Sequence, residues 1–203
     1  MAAPSPLRWV LRPNVDAIAS RNWSRLLRRL FFGENMPLTT GTGDEGQTTW
    51  RSIRILKNSR EIAFLGLMDR AMAEVSQARI LARALQAEAV DSELKRVSRA
   101  LCDVCAIMAA DAERDLIPVV VWAAKKTLGR TLTEFVDFGE TTALAAAVNL
   151  ARTGVRLAES HLPDACDEQN PLIRPLMNRL SDVLFIIAVD CAEGRLTADM
   201  PSV

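Results

Sequence analysis

The chain has no surplus of charge of either sign, since its 203 residues carry 25 basic and 25 acidic side chains. Nucleic acid is thereby excluded as a principal partner, because phosphate backbones recruit an excess of lysine and arginine. Aromatic residues are scarce, at 5%, and His161 is the only histidine. Long hydrophobic runs are missing as well. A membrane-spanning helix needs roughly 18 apolar residues in a row; the longest candidate, Leu116 to Ala124, holds a proline and is stopped by Lys125 and Lys126. No membrane partner is expected. A secretory leader with a small-residue cleavage site is absent too. Cysteine occupies four positions. Cys102 and Cys105 form a C-x-x-C within a helical pattern, no second ligand pair follows at zinc spacing, and Cys166 and Cys191 lie far away. Reduced thiols of a cytoplasmic or mitochondrial-matrix protein are expected, without disulfides or a protein-held metal.

What is present suits one domain. Apolar residues make up 49% of the chain and charged residues 25%, which excludes wholesale disorder and supplies a core. Residues 1–33 are different, with six arginines against one acid, Asp16. Arg-rich, acid-poor and partly amphipathic, this stretch has the composition of an organellar transit peptide. The other reading is an unstructured tail or an early translation start, with Met36 opening the domain proper. Either way residues 1–35 are expected outside the fold, residues 36–192 form the domain and residues 193–203 a tail.

Periodicity from 61 to 192 is helical. Phe64, Met68, Ala71, Val75 and Ala78 recur at spacings of three and four, as do Leu94, Val97, Leu101, Val104 and Met108. A third stripe runs Leu144, Val148, Ala151, Val155, Ala158, and a fourth Leu176, Leu180, Val183, Ile187. A weaker pattern from Val119 to Phe135 is interrupted by Gly129. Breakers are expected at Asp91-Ser92, at Gly139 and from Leu162 to Pro171. No strand alternation is visible. The expectation is an all-α bundle of four to five helices.

Two features carry chemistry. Between Thr39 and Thr49, in the non-helical segment 38–60, three glycines let backbone N–H groups converge on an anion and threonine hydroxyls add donors. The spacing of a P-loop is absent, so the segment is either an anion cradle or a flexible connection. On the third stripe's helix Asn149, Arg152, Arg156 and Glu159 share one face, opposite the apolar residues. Two arginines four apart repel unless an anion lies between them. The face is either solvated, with an Arg156–Glu159 pair, or a polyanion clamp of two guanidinium forks.

At these positions the sequence resembles the PduO-type ATP:cob(I)alamin adenosyltransferases. Their T-[KR]-T-G-D-x-G-x-[TS] is similar to Thr40-Gly41-Thr42-Gly43-Asp44-Glu45-Gly46-Gln47-Thr48, and their R-[VI]-x-K to Arg54-Ile55-Leu56-Lys57. Gly66-Leu67-Met68-Asp69 resembles G-T-x-D. The signature F-[IV]-L-P-G-G-[ST] followed by A-R-T-x-x-R-R-A-E resembles Phe135 to Thr141 and then Ala151 to Glu159. N-R-L-S-D-x-L-F stands intact from Asn178 to Phe185. Gly41, Leu157 and Asp137-Phe138-Gly139-Glu140 depart from the pattern, and Arg70 stands where an acid is expected.

The resemblance implies a five-helix bundle in a homotrimer, with sites between subunits, that moves the adenosyl group of ATP onto cob(I)alamin and releases triphosphate. By position, Thr40, Gly41, Thr42, Gly43, Asp44, Gly46, Thr48, Thr49 and Lys57 would surround the triphosphate and its Mg²⁺. Arg152, Arg156, Glu159 and Asn178 would hold ATP from the bundle, with Asp69 paired to Arg152. Phe135 would press on the lower face of the corrin ring, where losing the axial base eases reduction to the nucleophilic cob(I) state. A corrinoid reductase or an adenosylcobalamin-dependent enzyme is the partner so implied. The departures remove two phosphate-facing cations, which implies a raised KM for ATP. They also keep open a non-catalytic trimer that binds ATP or corrinoid as a carrier or regulator.

Overall fold

From Arg60 onwards each apolar stripe becomes a helix. These helices are seen in a computed structural model that describes residues 43–110, 112–131, 136–164 and 166–195. Helix α1 spans Arg60–Ala84 and buries Phe64, Met68, Ala71, Val75, Ala78 and Ala82. Helix α2 spans Glu88–Ala110 and buries Val90, Leu94, Val97, Leu101, Val104 and Met108. Helix α3, Ile117–Thr127, starts with Pro118 in its first turn, where a missing N–H costs nothing. Helices α4, Ala143–Ser160, and α5, Ile173–Ala192, carry the third and fourth stripes. A single helical turn, Cys166–Gln169, stands between them. Helix α5 packs against α4 and α3, and α1 against α4 and α2. The core is continuous through all five helices; fully burying a side chain such as Leu94 or Met68 contributes roughly 1.5–3 kcal/mol. No helix among the described residues is long and apolar enough to cross a membrane.

Two expectations need correction. The break between α1 and α2 falls at Leu85 to Ala87, where Gln86 has φ 57°, and Asp91-Ser92 lie inside α2. Asp91 is in the first turn of α2, where a negative charge suits the helix dipole, and it accepts from Arg79 Nε at 2.8 Å. Strands also exist. β1, Gln47–Trp50, and β2, Ile53–Leu56, form an antiparallel hairpin in the register Gln47↔Leu56 to Trp50↔Ile53. The two turn residues, Arg51 and Ser52, both have positive φ (46° and 68°), the primed turn that matches strand twist. Neither is Gly or Asn, so the usual signal is missing from the sequence. Trp50 is buried in the core, and Ile55 packs against it. The expected extension 1–35 lies outside the described residues, as does residue 196 onwards of the expected tail.

Candidate functional site

The loop ahead of β1 is closed by its own backbone. Gly46 adopts φ 73°, its N–H donates to the Gly43 carbonyl at 3.2 Å, and its carbonyl accepts from the Lys57 N–H at 2.8 Å. The hairpin thus returns Lys57 to the loop. A Cβ built on Gly43 would stand 2.6 Å from Lys57 Nζ, so the ammonium group occupies the space a side chain would fill. The Lys57 side chain is exposed and flexible, so the ammonium group rests over Gly43 without being fixed there. Asp44 and Lys57 are exposed, Thr48 is half-buried and Thr49 is exposed. One ammonium group beside a glycine turn, with threonines on the adjoining strand, supplies donors of the kind that take phosphate oxygens, next to the exposed carboxylates of Asp44 and Glu45.

The second half of the site lies on α4, which begins where Thr142 Oγ1 accepts from the Ala145 N–H at 3.1 Å. Arg152 Nε donates to Asn149 Oδ1 at 2.8 Å, and its guanidinium lies over the Phe185 ring, 5.3 Å from the centroid. Burial first, and then the charge of Arg156, pull the Arg152 pKa below its usual range. The guanidinium stays charged at neutral pH. Arg156, one turn on, is exposed and forms no ion pair among the described residues. The two cations repel each other, with Glu159 the carboxylate that acts on Arg156, and an anion between them would relieve that repulsion. Across the seam, α5 carries Arg174, Asn178 and Asp182 four residues apart. Glu159 feels this neighbourhood: burial raises its pKa and Asp182 adds to the rise, against Arg156 and Arg174.

Beside Arg152 opens a cleft of about 410 Å³, walled by Val136, Phe138, Gly139, Asn149, Arg152 and Phe185. Phe138 meets Phe185 edge-on, with centroids 6.0 Å apart and planes at 75°. The turn Phe138–Glu140 that shapes the rim is held by Asp137 Oδ1, which accepts from the Gly139 N–H at 2.9 Å. Arg152 thus forms part of two surfaces, the polar seam and the aromatic cleft.

The expected residues are distributed as follows. Thr48 and Thr49 lie on β1, Gly43, Asp44 and Gly46 in the turn that precedes it and Lys57 just after β2; Asn149, Arg152, Arg156 and Glu159 on α4 and Asn178 on α5 lie along the α4–α5 seam. Thr40, Gly41, Thr42 and Phe135 lie outside the described residues. No Asp69–Arg152 ion pair forms among the described residues; Arg152 Nε donates to Asn149 on its own helix instead. Asp69 is exposed on α1, near enough to Cys105 to add to the rise of that thiol, which burial pushes up to about 12. No ion pair joins Arg156 to Glu159 among the described residues either, although each feels the other's charge. Arg70, the departure from the expected acid, donates from Nε to Glu74 Oε1 at 2.8 Å. Phe138 and Phe185 were not singled out from the sequence as cleft residues. Phe185 closes the intact N-R-L-S-D-x-L-F block, which was its signal.

A sequence profile described as cobalamin adenosyltransferase matches residues 38–191. Among solved structures, an arginine-to-lysine variant of a PduO-type ATP:co(I)rrinoid adenosyltransferase from Lactobacillus reuteri, complexed with ATP, aligns at TM-score 0.67 and 26% identity, over 79% of this chain and 95% of that one. A phenylalanine-to-histidine variant of a PduO-type ATP:corrinoid adenosyltransferase from the same organism, complexed with cobalamin and ATP, aligns at TM-score 0.67 and 25% identity, over 79% of this chain and 92% of that one. No curated protein sequence matches significantly. The matched span takes in the glycine loop with its lysine, the two-arginine face and the aromatic cleft between them and α5, and it makes this chain a member of the cobalamin adenosyltransferase family.

Proposed function

We propose that the protein transfers the 5′-deoxyadenosyl group of ATP to cob(I)alamin, giving adenosylcobalamin and triphosphate. The observation that carries this reading is the double placement of Arg152, on the cationic seam of α4 and on the wall of the aromatic cleft. A nucleotide phosphate on the seam would thereby bring its ribose next to a flat apolar molecule in the cleft. The cob(I) electron pair attacks ribose C5′, the C5′–O bond breaks and its electrons leave with triphosphate. Proximity supplies much of the acceleration, and Lys57, Arg152 and Arg156 stabilise charge on the leaving group. Thr40, Thr42, Gly43, Gly46, Thr48 and Thr49 would add donors around the phosphates, with Gly41 leaving room where the family pattern has a cation. Glu159 and Asn178 would fix the nucleoside side, Asp69 would order the site, and Phe135 and Phe138 would exclude water from the corrin face.

Mg²⁺ would enter with ATP. Among the described residues no three His, Cys, Asp or Glu side chains converge as a metal site. Its ligands would come mainly from phosphate oxygens and water, as suits this ion, with the exposed carboxylates of Asp44 and Glu45 in the loop. Cob(I) would be supplied by a corrinoid reductase, and the product would pass to an adenosylcobalamin-dependent enzyme. The four free thiols suit a reducing compartment, cytoplasmic or, with residues 1–35 as a transit peptide, the mitochondrial matrix.

Arg156→Ala tests the phosphate role. It should weaken ATP binding by roughly tenfold or more, the effect of losing one charge-assisted contact, while the melting temperature holds because the side chain is exposed. Arg152→Ala should weaken it further, since Asn149 and Phe185 lose their partner. Unchanged ATP affinity in both variants, measured by calorimetry, would return the face to plain solvation.

The working form is proposed to be a homotrimer. Leu150 and Leu157, seven residues apart on α4, are 44% and 39% exposed, and Ile80 on the adjoining α1 is 61% exposed. Contact between subunits would cover them. Sedimentation equilibrium at micromolar concentration should give three times the chain mass; a monomer throughout would refute the trimer.

A further inference from the structure

Beyond Phe185 lies a second, larger cavity of about 780 Å³ between α3 and α5. Three arginines, Arg130, Arg179 and Arg195, and one carboxylate, Asp182, line it together with the apolar side chains of Phe185, Ile186 and Val189. The arginines are held from beneath. Arg130 and Arg195 both donate to Asp190 Oδ1, the latter from Nε at 2.9 Å. Arg195 also pairs with Glu193, and Arg179 Nη1 donates to Asp182 Oδ2 at 3.0 Å. The Asp190 side chain is only 12% exposed, whereas the three arginine side chains remain 41%, 47% and 49% exposed. A guanidinium has five N–H donors in a fixed fork, and these ion pairs use only part of them. The cavity therefore offers spare N–H donors on arginines anchored by ion pairs, next to apolar side chains. That combination fits an anion carried on a flat organic group, and the volume lies in the range of small-molecule sites. Phe185 belongs to both this cavity and the cleft beside Arg152, so one molecule could extend from one into the other.

We propose that this cavity binds the phosphodiester-bearing nucleotide tail of a corrinoid whose ring lies in the neighbouring cleft, so that the protein selects complete corrinoids over tail-less ones. The inference rests on the proposed function, and it adds a specificity subsite to it. A phosphate oxyanion could also come from ATP, so the two sources must be separated by experiment.

The experiment compares cobalamin with cobinamide, which keeps the ring but lacks the nucleotide. Both are chemically reduced and assayed at saturating ATP. KM for cobinamide should exceed that for cobalamin by about tenfold, the contribution of one charge-assisted contact. Arg130→Gln should bring the ratio of the two KM values towards one. Because that change unbalances the buried Asp190, Arg179→Gln is the second variant; its partner Asp182 is 39% exposed and tolerates the loss. Equal KM values in the wild-type protein would overturn the proposal. So would a preference for cobalamin that both variants keep, or variants that raise KM for ATP and leave the corrinoid ratio intact. Equilibrium dialysis with aquacobalamin and aquacobinamide, read by visible absorbance, gives the same ratio without turnover. Failure to adenosylate either corrinoid would count against the proposed function, while the dialysis ratio would still decide this subsite.

Discussion

At Gly154 helices α1 and α4 come into contact, and a single methyl group would be felt. A Cβ there would stand 3.3 Å from the Ala71 Cα and 2.0 Å from Glu74 Oε2, a buried oxygen with no hydrogen-bond partner. Gly154 lies two residues after Arg152, so this contact also sets how deep the arginine face sits. Gly66, on the same helix as Ala71, has open space where its Cβ would go. The two glycines should therefore respond oppositely. Gly154→Val gains under about 1 kcal/mol of helix propensity and loses roughly 1–3 kcal/mol by overpacking, for a net loss. Gly66→Ala meets nothing and should gain about 0.5–1 kcal/mol. Urea denaturation of both variants checks this. A stabilised Gly154→Val would mean that α1 and α4 can part without cost.

Among the elements, the hairpin is the one on which the proposed nucleotide site depends and which hides best in the sequence. Its strands are four residues each, too short for alternation to register, and Arg51-Ser52 gives no turn signal. The helices were legible because those that carry the four strong stripes run 18 to 25 residues and every residue of those stripes is buried. The α1–α2 break was misplaced because Asp and Ser at a helix start stabilise the element that they seem to interrupt. The site was legible in part. Lys57 and the glycine loop were paired by motif, and the structure brings them within contact distance. Phe138 was not, since an aromatic residue in a loop has no period to betray it. The hairpin's role can be tested at Ser52, where φ is 68°. Proline cannot adopt that angle, so Ser52→Pro should cost more than about 1 kcal/mol and loosen the tie between Lys57 and Gly46. ATP affinity should fall while helical circular dichroism persists, and Ser52→Gly should retain both. Equal ATP affinity in the proline variant would remove the hairpin from the nucleotide site.

For the whole molecule, the bundle places a cationic seam and an aromatic cleft on either side of one guanidinium, and the proposed activity rests on that adjacency. The missing loop cation at Gly41 and the second missing arginine at Leu157 bear on how tightly ATP is held. Both concern contacts to phosphate rather than to the reacting carbon, so the proposed function predicts a raised KM before any loss of chemistry. The most direct measurement is single-protein turnover with saturating ATP, Mg²⁺ and chemically reduced cob(I)alamin, followed by corrinoid absorbance. The expected result is a light-sensitive product, because photolysis cleaves a cobalt–carbon bond, formed together with intact triphosphate and abolished in Arg152→Ala. ATP binding without any light-sensitive corrinoid, at saturating concentrations of both substrates, would contradict the account and leave a nucleotide-binding bundle that does no chemistry.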